Sequence, residues 1–247
     1  MKENLHPNSS DNNLLIRIHP EGITYAITDE NEQVILQQMI NMPPGKLKDA
    51  RFLEHFLEQP ELRVLSENVS VVFENSNYQL IPNELFKEDD VSQLFELEFG
   101  KNDNVRLIYN LLPRWGAHLI HSVESSVMDL FEKKYPDAEI EHHVSKLLKR
   151  KIDRNTDTIY ANVRKETVDL FVVKENRLLL TNSFQTNTNE DICYFVLNAY
   201  EQLELDTKTI PLKLFSEDAV DKSLVELLEQ YITDIAGVIK NKVNANY

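Results

Sequence analysis

Two stretches of this chain, Leu14 to Met42 and Thr158 to Phe184, carry one pattern. Each has three short apolar runs joined by tight polar turns, followed by an amphipathic helix and another apolar run. In the first, Leu14, Ile16 and Ile18 alternate at strand spacing, His19-Pro20-Glu21-Gly22 turns, Ile23 to Thr28 returns, and Val34 to Ile40 follows a second turn. In the second, Ile159, Ala161 and Val163 alternate and Arg164-Lys165-Glu166 turns. Val168 to Val173 returns, Lys174-Glu175-Asn176 turns, and Leu178 to Phe184 makes the third run. Glu166 falls on Glu21, Glu175 on Glu30 and Asn176 on Asn31, all at an offset of 145 residues. Strand, strand, strand, helix, strand, helix occurring twice predicts an α/β protein of two pseudo-repeated βββαβα lobes with mixed sheets.

The remaining segments fit around that plan. Residues 1–13 are polar and without period, and are expected to form a mobile tail. The first lobe is expected over 14–154 and the second over 155–247. Leu47, Ala50, Leu53, Phe56 and Leu57 recur at helical spacing up to Pro60, and Val69 to Phe73 reads as a buried strand. Val91 to Phe99 and Val105 to Leu111 are expected to pair as strands around Gly100 to Asn104. Val123, Val127, Leu130 and Phe131 mark a helix ending near Pro136, and Leu147 with Leu148 another. Thr188 with Asp191 has capping-box spacing before the helical face Ile192, Phe195, Val196, Ala199 and Leu203. Pro211 to Phe215 mirrors Val69 to Phe73, and Val220, Leu224, Leu227, Leu228 and Tyr231 supply a last amphipathic helix.

At 247 residues with 42% apolar content the chain can build substantial cores. The polar start predicts no secretory leader, and the longest apolar run, Ile192 to Leu197, is far short of the ~20 residues of a membrane span. A soluble, cytoplasmic protein is therefore expected. Cys193 is the single cysteine, which excludes an internal disulfide and a thiolate metal cluster. A net charge of −15 repels phosphate backbones, so nucleic acid is not an expected partner. The one basic cluster, Lys146 to Arg154, reads as the solvated side of a helix.

Leu15-Ile16-Arg17-Ile18 with Gly22-Ile23, and above all the run Tyr78-Gln79-Leu80-Ile81-Pro82-Asn83-Glu84-Leu85-Phe86, resemble the bacterial domain-of-unknown-function family 3822. The resemblance spans nearly the whole chain after the tail. It implies the actin-like ATPase (ribonuclease-H-like) fold and no known activity. Members of that superfamily hold nucleotide phosphates with two hairpin turns, each pairing an aspartate with glycines whose backbone N–H groups approach the phosphates. Here the first turn offers Pro20, which lacks a donor, and acidic Glu21. The second, Arg164-Lys165-Glu166-Thr167, has neither glycine nor aspartate. Of the five glycines no two are adjacent, and the adenine side offers only Ala236-Gly237.

Other constellations are sparse. His118 and His121, with Glu124 beyond, would share a helix face and could ligate a metal, or they could belong to a polar helix start. His142 and His143 would point apart on a strand. Ser122, Ser125 and Ser126 near His121 have no nucleophile turn or orienting acid. Glu21 and Glu166 would serve as paired carboxylates only if they faced each other across an interlobe cleft. The apolar segment Phe73 to Phe86 reads as buried strand and turn, or as a docking surface. No catalytic, cofactor-binding or metal residue is assigned. The expectation is a non-catalytic protein acting through a protein partner or as a homodimer. The alternatives are a diverged nucleotide-binding phosphotransfer enzyme using Glu21, Glu166, His19 and Arg164, and a metal-dependent enzyme around His118 and His121.

Overall fold

In the computed structural model, residues 12–31, 33–42, 50–62, 68–216 and 221–240 are described. The expected tail falls outside them up to residue 11, as do Pro43 to Leu47 and Val220. The described chain divides into two compact units, the first running to Lys149 and the second beginning at Arg150.

The first unit is built on a sheet whose centre is the most apolar part of its sequence. β1 (Asn13–His19) and β2 (Gly22–Thr28) are buried almost throughout, so their side chains are covered on both faces. β3 (Val34–Asn41) runs along one edge, and β4 (Asn68–Phe73) and β8 (Glu139–His142) lie parallel to β1 on the other side, giving the order β3-β2-β1-β4-β8. Helix α1 (Ala50–Leu57) buries Leu53, Phe56 and Leu57, with the Phe56 ring edge-on to Tyr25 at 6.0 Å. Helix α3 (Ser125–Lys134) adds Val127, Met128 and Phe131 to the same core, the Phe131 ring meeting Phe73 edge-on at 5.9 Å.

The second unit repeats the plan. β9 (Thr158–Val163), β10 (Thr167–Lys174), β11 (Arg177–Gln185), β12 (Leu212–Ser216) and β13 (Ile235–Lys240) form a sheet in the order β11-β10-β9-β12-β13, with the same strand directions. Helix α5 (Asn189–Gln202) and helix α6 (Lys222–Leu228) cover it with Ile192, Val196, Tyr200, Leu224 and Leu228. The capping box forms as its spacing predicts: Asp191 N donates to Thr188 Oγ1 at 3.1 Å and Thr188 N to Asp191 Oδ2 at 3.0 Å. Arg17 stands opposite Thr24 and Asn162 opposite Asp169, so the 145-residue offset holds in register. The matching Glu and Asn residues of the second turns do not behave alike. Glu175 and Asn176 adopt left-handed φ of 52° and 59°, whereas Asp29 caps a longer turn through Asn31 N and Gln33 N.

Between β4 and β8 the first unit inserts β5 (Tyr78–Pro82), α2 (Val91–Phe99), β6 (Val105–Leu112) and β7 (Ala117–Glu124). The strands form a separate antiparallel sheet, β5-β7-β6. Val91 to Phe99 is thus a helix and not the expected strand. Val91 and Phe95, one turn apart, pack on Ile81 and Ile120, and Gly100 closes the helix at φ 78° with its N–H on Glu96 O. The expected helix from Val123 starts at Ser125, because Val123 still pairs in β7. Helix α4 (His143–Arg150) follows β8 directly.

Candidate functional site

The β1–β2 hairpin closes on itself. Its turn is Pro20-Glu21, between the paired residues His19 and Gly22, and Glu21 O accepts from Met42 N at 2.8 Å. His19 Nδ1 lies 3.1 Å from Glu21 Oε2 and its Nε2 3.1 Å from Thr24 Oγ1, so the imidazole joins the turn carboxylate to a strand hydroxyl. Gly22 serves sheet packing: a Cβ there would overlap Ile40 O in β3. Gly22→Ala is expected to force β2 and β3 apart and lower stability by about 1–3 kcal/mol or more, read from the urea midpoint.

The β9–β10 hairpin is closed by charge. Arg164 N donates to Thr167 O at 2.9 Å, and Glu166 O accepts from Thr186 N at 2.9 Å, as Glu21 O accepts from Met42 N. Arg164 folds back on the fully buried Asp169, Nε to Oδ2 at 3.0 Å and Nη2 to Oδ1 at 2.8 Å. Asn162 Nδ2 and Ser183 Oγ donate to the same carboxylate at 2.8 and 2.6 Å. Of the four candidate residues, His19 and Glu21 are thus brought together, Arg164 is bound within its own hairpin, and Glu166 is exposed. Glu21 belongs to the first unit and Glu166 to the second.

A cavity of about 400 Å³ opens at the carboxyl ends of β1 and β4. Its floor is Ile18, Phe73, Val123 and Val127, and its polar wall includes His19, Glu74, Asn75, Ser122 and Glu124. Glu74 is fixed by a buried ion pair with Arg17, Nη2 to Oε2 at 2.8 Å, and its N–H donates to Ile18 O. Asn75 is held on three sides. Its Nδ2 donates to Ser122 O at 3.4 Å, its Oδ1 accepts from Asn77 N at 2.9 Å, and its carbonyl accepts from His142 Nε2 at 3.1 Å. No lysine or arginine lines the cavity among the described residues.

The histidines are arranged for packing. His118 and His121 lie on strand β7, not on a helix. Three positions apart, they face opposite sides of the sheet and cannot share an ion. His118 stacks on Phe86 with centroids 3.8 Å apart, and His121 faces Phe73 and His142 at 6.3 and 5.0 Å. His142 ends β8 and His143 begins α4, a bend that leaves their rings 4.4 Å apart. Among the described residues no three His, Cys, Asp or Glu side chains are grouped to hold a metal ion. Neither ring nitrogen of His121 has a hydrogen-bond partner among them. Burial, and secondly the neighbouring His143, push its pKa down to about 3.

The family model described as "Protein of unknown function (DUF3822)" matches residues 2–235. The chain belongs to this family. The DUF3822 chain is similar to a protein of unknown function with an actin-like ATPase fold from Bacteroides thetaiotaomicron VPI-5482. The two are 24% identical with a TM-score of 0.79, over 92% of this chain and 90% of that one. It is also similar in structure to the ethanolamine utilization protein EutJ from Carboxydothermus hydrogenoformans, at 9% identity and a TM-score of 0.53, over 97% of this chain and 89% of that one. No curated protein matches the sequence. The fold of the DUF3822 chain is the actin-like ATPase fold.

The two hairpin turns of this DUF3822 chain are closed differently. One presents a proline and a carboxylate, and its glycine is pressed against β3; the other carries its cation already bound to Asp169. Arg17, Glu74 and Asp169 were not apparent as partners from spacing alone. Their signal is a charged residue inside or at the end of an otherwise apolar run, Leu14 to Ile18, Val69 to Phe73 and Val168 to Val173, which marks a charge that folding must bury and pair. Among the described residues no helix is long and apolar enough to cross a membrane.

Proposed function

We propose that this chain is a non-catalytic actin-like protein that acts in the cytoplasm through contact with a protein partner or a second copy of itself, with 14–154 and 155–247 as its two lobes. The observation that carries this reading is the closure of both hairpins by side chains, with Gly22 pressed against β3, where a phosphate-binding turn needs glycine-lined N–H groups free to approach the phosphates. A fold can keep its architecture and lose its site. The inserted sheet supports contact as the remaining role. Tyr109 and Leu111 share one face of edge strand β6 and are 41% and 50% exposed, beside the ring of Phe86. Glu84, Glu88, Asp89 and Asp90 are exposed nearby in the chain, and Glu88 accepts from the Tyr109 hydroxyl at 2.6 Å.

Thermal unfolding with and without millimolar Mg-ATP, Mg-ADP and Mg-GTP tests the reading. The expected result is an unchanged midpoint with all three. A ligand at a hundred times its Kd adds about 2.7 kcal/mol, so a rise of several degrees with any of them overturns it.

A further inference from the structure

We propose that the seam between the inserted sheet β5-β7-β6 and the main sheet of the first unit is an acid-operated latch, in which one proton on His121 lets the insert part from β4, β8 and α4 while both five-stranded sheets stay folded. This goes beyond the partner-contact reading and stands without it.

The seam is made by side chains. Among the described residues no β-ladder joins β5, β6 or β7 to the main sheet. Asn110 of β6 donates from Nδ2 to Ile140 O at 2.8 Å and accepts from His142 N at 2.9 Å, and Trp115 Nε1, just past β6, donates to Leu148 O of α4 at 2.9 Å. Ile108 and Val123 add apolar contact with the core. The insert can therefore separate without breaking a ladder. Three imidazoles from three elements lie along this seam, His121 on β7, His142 at the end of β8 and His143 at the start of α4. Their centroids are 5.0 Å apart between the first two and 4.4 Å between the last two.

His121 is the group on which acid acts. It is fully buried, and among the described residues neither ring nitrogen has a partner. An imidazolium carries two N–H donors, and the closed seam gives neither an acceptor. Its surroundings supply no counter-charge. β5 sets Tyr78 and β6 sets Ile108 opposite it, β4 brings Phe73, β8 His142 and α4 His143. The carboxylates on the surrounding elements are committed elsewhere: Glu74 to Arg17, Glu139 and Glu141 to Lys149, and Asp129 and Glu132 of α3 to Arg106. Glu124, three positions along β7, faces the other side of the sheet, and Lys146 of α4 is a further cation, held on Ser70. Opening hydrates the ring, so the proton that the closed form takes up only near pH 3 is taken up near pH 6.5. The open form binds more protons between those values, and from pH 7.5 to 5 the opening constant rises about 30-fold.

Native-state hydrogen exchange of the full chain, followed by NMR and corrected for the pH dependence of the intrinsic rate, tests the latch. Two protons bond across the seam, the His142 amide and the Trp115 indole N–H. Both are expected to lose about 30-fold of their protection between pH 7.5 and 5, while the ladder amides of β1 and β10 keep theirs. His121→Phe and the smaller His121→Leu should each remove that loss, and His55→Gln, at an exposed histidine of α1, should leave it in place. An equal loss in β1 overturns the proposal, because the unit then opens as a whole. Unchanged protection of the two seam protons overturns it as well, and both of these outcomes are read on the wild-type chain without any variant. A loss that persists in both His121 variants, or that disappears in His55→Gln, assigns the effect to other groups and also overturns it.

Discussion

Asp169→Ala is expected to destabilise the second unit by about 3–5 kcal/mol, because it strands the Arg164 guanidinium, Asn162 Nδ2 and Ser183 Oγ around an empty centre. The carboxylate is fully buried and Arg164 nearly so, and solvent does little to replace the lost partner. Urea unfolding followed by circular dichroism reads the loss. If the buried charge is the cause, replacing both partners with apolar residues of similar volume, Arg164→Met with Asp169→Leu, should be less damaging than Asp169→Ala alone. A single variant within about 1 kcal/mol of wild type would show that the network does not hold the hairpin.

Acid should weaken the first unit through His121. In the folded protein its imidazole stays neutral down to a pKa of about 3, while the unfolded chain takes up the proton near 6.5. Between those values the unfolded state binds more protons, so stability is full above pH 6.5 and falls as the pH drops, by up to about 1.4 kcal/mol per pH unit. Phe73, Tyr78 on the paired strand, His142 and His143 surround the ring, and among the described residues no carboxylate acts on it. His121→Phe removes the titrating group and keeps an aromatic ring in the core. The variant should lose less stability than wild type between pH 6.5 and 4, and urea midpoints across that range measure the difference. Parallel pH slopes for the two proteins would refute the assignment to His121.

Both effects come from buried polar groups. Polar groups in this protein are spent on closing its hairpins and filling its interior. Arg164 and His19 occupy the ends of β9 and β1, and each is bound inside its own hairpin. Gly22, the one glycine in either hairpin, lets β3 approach.

The duplication was legible because it rests on strand-length apolar runs whose period and order survive substitution, and the strand orders β3-β2-β1-β4-β8 and β11-β10-β9-β12-β13 repeat it. The capping box at Thr188 and Asp191 was legible for a similar reason, since both partners lie within one helical turn. Val91 to Phe99 was misread as a strand because Val91, Leu94, Phe95 and Phe99 fit either element; packing on Ile81 and Ile120, outside the segment, decided for a helix. His118 and His121 were misplaced for the converse reason. Their three-residue spacing suits a helix, but β5 and β6 pair with the segment from both sides and make it a strand. What the sequence by itself determined is the repeated lobe and the absence of a glycine-lined phosphate turn, which depend on local order and residue type. Only the tertiary structure decided that Glu74 meets Arg17 across 57 positions, that His121 lies beside His142, and that a cavity opens at the ends of β1 and β4. Those are contacts between segments distant in the chain, and no local period encodes them.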